Sequence, residues 1–340
     1  MANHRTWGDG EFDVPDGYLN TPSIGIPPAH VAGAVAAAVG RWRAGIDSPP
    51  DFDESIAVSR QGFGDLIGVP ADRVAVGASA SQLFANVAAG LPPGAKVLAV
   101  EREFTSVTFP FAAHGATVHE VGLAELPEHV EGHDLVVASV VQSADGAIAD
   151  LDALRAAAEA AGVPVALDVS QAAGWLPLQL DWADWVVGAG YKWLLSPRGS
   201  AWLAVHPRAL ERGTPVAAGW YAGEDRWEAL YGMPLRLAEG ARRYDLSPVW
   251  FAHLGAAAAL PYLASLDLKA VRDHCAGLAD SLLNGLGLPP RGTAIVSFDA
   301  DPARLAAAGI RAGVRAGKAR VGFHLYNTES DVERVLHAMG

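Results

Sequence analysis

Short, almost wholly apolar runs alternate with alanine-rich stretches along the chain as far as residue 205. The runs Arg73–Gly77, Lys96–Val100, Thr117–Val121, Asp134–Val140, Val163–Asp168, Trp185–Ala189 and Ser200–Val205 read as strands. The stretches Ser79–Ala89, Thr105–His114 and Leu151–Ala161 between them read as helices. Strands that are apolar on both faces, alternating with helices, predict an α/β fold: a mostly parallel central sheet sandwiched by helices. In such a sheet a ligand site forms at the carboxyl ends of the strands, where loops turn into helices.

Beyond Val205 the pattern changes. A long loop-rich stretch to Trp250 carries aromatics at irregular spacing and is too long for a simple connection, so it reads as functional or interfacial. Two Ala/Leu-rich helices follow, Val249–Ser265 and Leu268–Leu283, and then a break at Pro289-Pro290-Arg291-Gly292. The tail from Thr293 to Gly340 reads strand, helix, short strand, helix, which predicts a small C-terminal α+β lobe.

Composition narrows the function. Hydrophobic residues make up 51% of 340, enough for a large core, yet no apolar run approaches the roughly 20 residues of a membrane span. The first residues, MANHRTWGDGEFDVP, have no apolar secretory core, so a cytoplasmic location is expected. A single cysteine, Cys275, excludes an intramolecular disulfide and a multi-cysteine metal site. The formal charge of −13, with no Lys/Arg cluster, argues against nucleic acid and anionic membrane partners.

The chemistry concentrates between residues 167 and 199, LDVSQAAGWLPLQLDWADWVVGAGYKWLLSPRG. Asp168 ends an apolar strand, where a carboxylate serves either as a helix N-cap or as a ligand. Lys192 lies between apolar stretches, where a lysine without a partner has a lowered pKa and becomes a usable nucleophile. An amine and an acid so placed are what pyridoxal phosphate needs, the amine for a Schiff base and the carboxylate to keep the pyridine ring protonated. Upstream, the turn VAVGASASQ offers Ser79 and small neighbours at a helix N-terminus, suited to a phosphate and equally to simple capping. Phe104, just past a strand end, either stacks on a ring or packs in the core.

These residues, in this order, resemble the class V aminotransferases among the fold type I pyridoxal-phosphate enzymes, a group that includes cysteine desulfurases, kynureninases and isopenicillin N epimerase-like proteins. The most specific pieces are Asp168-x-x-Gln171, Tyr191-Lys192-Trp193 with Pro197-Arg198-Gly199, and Arg320 followed by His324-x-Tyr326-Asn327-Thr328. The resemblance implies pyridoxal 5′-phosphate bound to Lys192 as a Schiff base, with Asp168 on the ring nitrogen and Gln171 on the ring hydroxyl. It places Ser79 and the Ala80 amide on the phosphate, Phe104 on the ring face and Ser143 near the ring hydroxyl, with Gln142 as its substitute. Arg320 would fork the substrate α-carboxylate, bordered by Asn20 and Ser23. Ser247 would reach the phosphate across a homodimer interface. Departures occur at Ala189 and Tyr191, where many relatives have Ser and His, and Tyr191 becomes a replacement contact through its hydroxyl. The implied division is an N-terminal arm (1–30), a large cofactor-binding domain (31–248), and connecting helices with a small domain (249–340).

The resemblance fixes an amino acid substrate more firmly than the outcome. A desulfurase needs a cysteine on a mobile loop, whereas Cys275 falls within a predicted helix. Aminotransferase, with a keto acid co-substrate, is the leading expectation. Elimination lyase and epimerase are alternatives, and a catalytically silent scaffold is the reading from another class. The aromatics Trp220, Tyr221, Trp227, Tyr231 and Tyr244 suggest either a pocket wall or an interface, and Arg242 and Arg243 either a second acid-binding site or a solvated pair.

Overall fold

The computed structural model describes residues 2–340. In chain order its elements are β1 (Ala2–Trp7), β2 (Gly10–Pro15), α1 (Ala29–Arg43), α2 (Asp53–Ile67), β3 (Val74–Gly77), α3 (Ala80–Ala88), β4 (Lys96–Val100), α4 (Thr105–Ala113) and β5 (Thr117–Val121). There follow β6 (Leu135–Ser139), α5 (Leu151–Ala161), β7 (Val165–Asp168), β8 (Trp185–Ala189), β9 (Ala201–Val205), α6 (Trp250–Ala264) and α7 (Leu268–Gly285). The last are β10 (Ile295–Phe298), α8 (Pro302–Ala307), β11 (Gly313–Arg315), β12 (Lys318–Gly322) and α9 (Glu329–Met339).

Seven strands form the central sheet in the order β3-β9-β8-β7-β6-β4-β5. The run from β8 through β7, β6 and β4 to β5 is parallel, and β9 lies antiparallel to both β8 and β3. The period-two alternation of β4 shows why both faces are covered. Leu98 and Val100 join the core layer that contains Phe63 of α2 and Leu260 of α6, while Val97 and Ala99 join the layer of Phe84 and Phe111 from α3 and α4. This is the mostly parallel, helix-sandwiched α/β sheet read from the sequence.

The tail carries one strand more than the pattern predicts. Strands β11 and β12 form a hairpin closed by Ala316 and Gly317, both at positive φ (49° and 80°), beside β10 in the order β10-β12-β11. Charged residues at 315 and 318 interrupt the apolar alternation there and hide the extra strand. The β1–β2 hairpin was likewise not read from the sequence, because only alternate positions such as Phe12 and Val14 are buried. From it the chain runs into the small lobe, with bridges between Tyr18 and Arg311 and between Asn20 and Gly322. Among the described residues no single helix is long and apolar enough to cross a bilayer.

One buried ion pair anchors the long 206–248 segment to β3, the strand that leads into α3. Asp245 accepts from Arg60 Nη1 (3.1 Å) and Nη2 (2.8 Å) and from the Val76 amide (2.8 Å), and Arg60 also donates to the Val74 carbonyl. Removing the acid alone leaves a buried guanidinium without compensation. Asp245→Ala should therefore cost about 3–5 kcal/mol in urea unfolding; a loss below about 1 kcal/mol would mean the pair is not structural.

Candidate active site

Lys192 lies in the loop between β8 and β9, whose backbone is over-determined. The Ser196 amide donates to the Gly190 carbonyl and the Gly190 amide to the Ser200 carbonyl, each at 2.9 Å. Buried Leu195 is held in the left-handed region (φ 51°), a conformation that costs energy and persists only where surroundings enforce it. The N-terminal turn clamps the same loop, as the Gly25 amide donates to the Tyr191 carbonyl at 2.9 Å. A Cβ at residue 25 would lie 2.0 Å from the Lys192 carbonyl oxygen, so only glycine permits the approach.

The Lys192 side chain is 6% exposed, and its amine makes no hydrogen bond or ion pair among the described residues. Two aromatic faces lie beside it, Phe104 at 5.3 Å and Tyr191 at 5.7 Å from the ring centroids. Burial pulls the lysine from 10.5 down to about 8, with the charge of Asp168 acting to hold it up. Asp168, at the carboxyl end of β7, accepts from the Ser170 amide (2.8 Å) and hydroxyl (3.2 Å), and Ser170 Oγ in turn accepts from the Ala189 amide. Burial nevertheless pushes Asp168 up from 3.8 to about 6, opposed by Lys192.

These two shifts act on the fold in opposite pH directions. The lysine's folded value is depressed, so its contribution is present above pH 10.5 and lost as pH falls through about 8. The aspartate's is raised, so its contribution is present below pH 3.8 and lost as pH rises through about 6. Between those limits both groups are charged and buried, and each roughly two-unit shift is worth about 3 kcal/mol. Near neutral pH the fold thus keeps two charged groups away from water.

Lys192 and Asp168 open into a cavity of ≈ 250 Å³ walled by the N-terminus of α3, Phe104, Ser143, Gln171 and Tyr191. Ser79 caps α3, its hydroxyl 3.4 Å from the Gln82 amide, while the amides of Ala80 and Ser81 have no partner among the described residues. Free amides and hydroxyls at a helix N-terminus form an anion cradle. Arg198 also lines the cavity, stacked over the Tyr191 ring at 5.0 Å, and adds a cation that the sequence reading left without a role. So do Ser106, Ser139 and Ser170, which carry no motif-level signal.

Arg320 lies behind this cavity and is 1% exposed. It donates from Nη2 to Ser23 Oγ (3.0 Å) and from Nη1 to the Ser143 carbonyl and hydroxyl, yet no carboxylate pairs with it. Its buried Nε has no partner, nor does the buried Asn20 Oδ1; both approach Gly313. A buried guanidinium surrounded only by neutral acceptors and an unused donor is built for an anion brought from outside. The Gln171 amide is spent on the Pro22 carbonyl (3.0 Å) and Ser143 Oγ (3.2 Å), while its oxygen accepts from Trp193 Nε1 (2.7 Å).

Several side groups fall elsewhere than expected. Gln142 cannot stand in for Ser143, because it donates to Glu103, a buried carboxylate the sequence reading missed. Glu103 accepts from Ser139 N and Oγ and from the Phe104 amide, and so fixes the strand end that carries Phe104. Ser247 is exposed and does not line the cavity of its own chain. Tyr221 and Tyr244 are buried anchors, bonded to Asp53 Oδ1 and the Leu210 carbonyl, and form no pocket wall. Arg242 and Arg243 are engaged by the Gly223 carbonyl and by Glu211.

The sequence model of the family described as aminotransferase class-V matches residues 41–310. The chain is 29% identical to the uncharacterized aminotransferase YcbU of Bacillus subtilis (strain 168) over 65% of its own length and 62% of that protein's, so it spans less than two thirds of this relative. It is 27% identical to a kynureninase of Deinococcus radiodurans over 80% of this chain and 72% of the other. Among solved structures, the cystine C-S lyase C-DES, in complex with its product cysteine persulfide, superposes with a TM-score of 0.84 at 22% identity, covering 95% of this chain and 96% of that one; at that identity the likeness concerns the fold.

The electrostatics of the pair can be read directly. In cofactor-free protein, the pH profile of Lys192 acylation, followed by peptide mass spectrometry, should have its midpoint near 8. Asp168→Asn should move that midpoint lower, since the aspartate's charge retains the proton on the amine. Midpoints near 10.5 in both proteins would contradict the buried, unpaired lysine.

Proposed function

The chain belongs to the aminotransferase class-V family, and from that premise we propose that it is a pyridoxal-phosphate-dependent enzyme acting on an amino acid, with transamination as its reaction. The observation that carries this reading is the buried amine of Lys192, without a partner of its own and sharing a cavity with Asp168 and the free amides at the N-terminus of α3. The cofactor fits the residues present: an amine for its aldehyde, an acid for its ring nitrogen, the free amides of Ala80 and Ser81 with Ser79 and Arg198 for its phosphate, and Phe104 for a ring face. When bound, pyridoxal phosphate supplies a carbonyl that the amine can attack and a protonated ring that withdraws electrons from the substrate α-carbon.

The chain's own groups then have separable tasks. Lys192, tuned to about 8, is an attaching amine and afterwards a base and acid at Nζ for the α-proton. Asp168 holds a proton at the ring nitrogen, a role in which its own charge becomes compensated. Arg320 orients the substrate through the α-carboxylate, with Asn20 and Ser23 beside it. Ser143 and Gln171 keep Arg320 and the ring hydroxyl side in register.

Transamination is favoured over epimerisation because Lys192 is the one amine among the residues that line the cavity. Phe104 stands across from it and can cover a face of the ring but cannot accept a proton, which disfavours a two-base epimerase. Cys275 is fully buried in α7 with its thiol pushed up by burial, so a persulfide route has no nucleophile. The reading includes a homodimer, supported by Tyr231, Met233 and Leu235, which stand exposed on the 206–248 segment, and by the exposure of Ser247, which leaves its hydroxyl accessible to a second copy.

Purified protein with the cofactor should be yellow, lose the visible band on borohydride reduction and carry the reduced adduct on Lys192; an adduct on another lysine would overturn the assignment. An amino acid should bleach the band and a keto acid restore it, whereas release of ammonia would mean elimination and α-proton exchange alone epimerisation. Arg320→Ala should raise the amino acid concentration needed for half-bleaching roughly 10- to 100-fold, the loss of a charge-assisted fork, with cofactor binding nearly intact.

A further inference from the structure

A second cavity, ≈ 520 Å³, lies between the sheet and the small lobe and adjoins the cofactor cavity. The segment Gln142–Ala144 belongs to both: Ser143 lines the cofactor cavity, and Gln142 and Ala144 line the cleft. In a chain of net charge −13, this cleft is walled by four cations, Arg102, Arg291, Arg315 and Lys318, against the carboxylates of Glu101 and Asp145. Arg291 pairs with Asp145 at 3.4 Å and Lys318 with Asp299 at 3.6 Å. Arg102 and Arg315 form no ion pair among the described residues, and Arg315 donates only to the neighbouring Val314 carbonyl.

The backbone goes to some lengths to keep these cations there. Arg102 sits at φ 59°, a left-handed conformation unfavourable to a side chain, which turns Glu103 inward and leaves Arg102 on the cleft wall. In the β11–β12 hairpin Arg315 lies directly opposite Lys318, a like-charge cross-strand pair that opposes hairpin stability. The same register sets Gly313 opposite Arg320, so Arg315, Lys318 and Arg320 share one face, while Ala319 and Val321 point into the small-lobe core. Two residues along a strand is about 7 Å, which separates the Arg320 position from the Arg315–Lys318 pair. The charge of Arg315 is felt at both Lys192 and Arg320.

We infer that this cleft is the side-chain subsite of the substrate and takes an anionic group: Arg315, with Arg102 on the opposing wall, binds a second negative charge on an amino acid whose α-carboxylate is held at Arg320. The inference rests on the proposed amino acid chemistry at Lys192 and names the substrate class, an amino acid with an acidic side chain. Gly313 sets no side chain against Arg320, whose Nη2 and Nε a Cβ there would meet at 3.5 and 3.6 Å, and the exposed hairpin tip supplies the specificity.

The test uses holoprotein and two anionic ligands, L-glutamate and O-phospho-L-serine, each against its neutral counterpart, L-glutamine or L-serine. Half-saturation of the change in the visible band should come at a concentration at least tenfold lower for one or both anionic amino acids. Arg315→Gln, and to a smaller extent Arg102→Gln, should cut that preference below threefold and leave the neutral ligand's half-saturation within twofold. Which anion is preferred distinguishes a carboxylate from a phosphate side chain. The melting temperature of cofactor-free protein is read in parallel with glutarate and glutaramide, since a ligand that binds the folded state raises it without any visible band. No preference for either anion, a preference untouched by both substitutions, or equal melting temperatures with glutarate and glutaramide would overturn the subsite. A glutarate-specific rise in protein that forms no visible band would overturn the cofactor reading alone.

Discussion

A lysine ammonium buried without a partner is the constraint around which the site is organised. Water would solvate Lys192 if the chain let it, so each neighbouring feature serves to prevent that: the close approach of Gly25, the left-handed backbone at Leu195, the rings of Phe104 and Tyr191. The left-handed backbone at Leu195 costs free energy. The compensation comes from the two apolar layers of the central sheet, which are large enough to carry an unfavourable charge pair at their edge. Stability and reactivity are thus separated in space, the one in the strands and the other where the strands end.

The two halves of the site are held in register by side chains that touch neither a charge nor each other's domain by accident. Gln171 is the crossing point. It bonds the N-terminal turn through Pro22, the Arg320 side through Ser143 and the lysine loop through Trp193. Trp193 is held from the other side by His324, whose Nε2 lies 2.9 Å from the Trp193 carbonyl and which burial keeps neutral. A shift of the small lobe that moved His324 or Arg320 would therefore be felt at the cavity floor through two or three hydrogen bonds.

Much of the scaffold was legible because its determinants are local. The strands of the central sheet are short apolar runs, and the three at Lys96–Val100, Thr117–Val121 and Trp185–Ala189 have the bounds that the pattern predicts. Asp168 and Lys192 were legible for a similar reason, since an acid and an amine in apolar surroundings are conspicuous. What escaped notice depends on partners far along the chain. Glu103 looks like a surface acid in EREF until the left-handed turn at Arg102 swings it onto Ser139, and Gln142 is drawn away from the cofactor side by that same carboxylate. The extra strand of the small lobe was hidden because its cations break the alternation that marks a strand, and Tyr221 and Tyr244 seemed available for a pocket because nothing local shows that Asp53 and Leu210 claim them.

The hydrogen bond from Arg320 to Ser23 spans 297 positions of sequence. The strand that ends in Asp168 and the strands that flank the Lys192 loop pair with partners much nearer in the chain, β7 with β6 and β8, and β8 with β9. Along the chain, Ser23 of the N-terminal turn and Arg320 of the hairpin are among the most widely separated parts of the site. Contacts of such long range are slow to form and come late. The completed site therefore depends on the N-terminal turn and the C-terminal hairpin together, through Ser23 and Arg320.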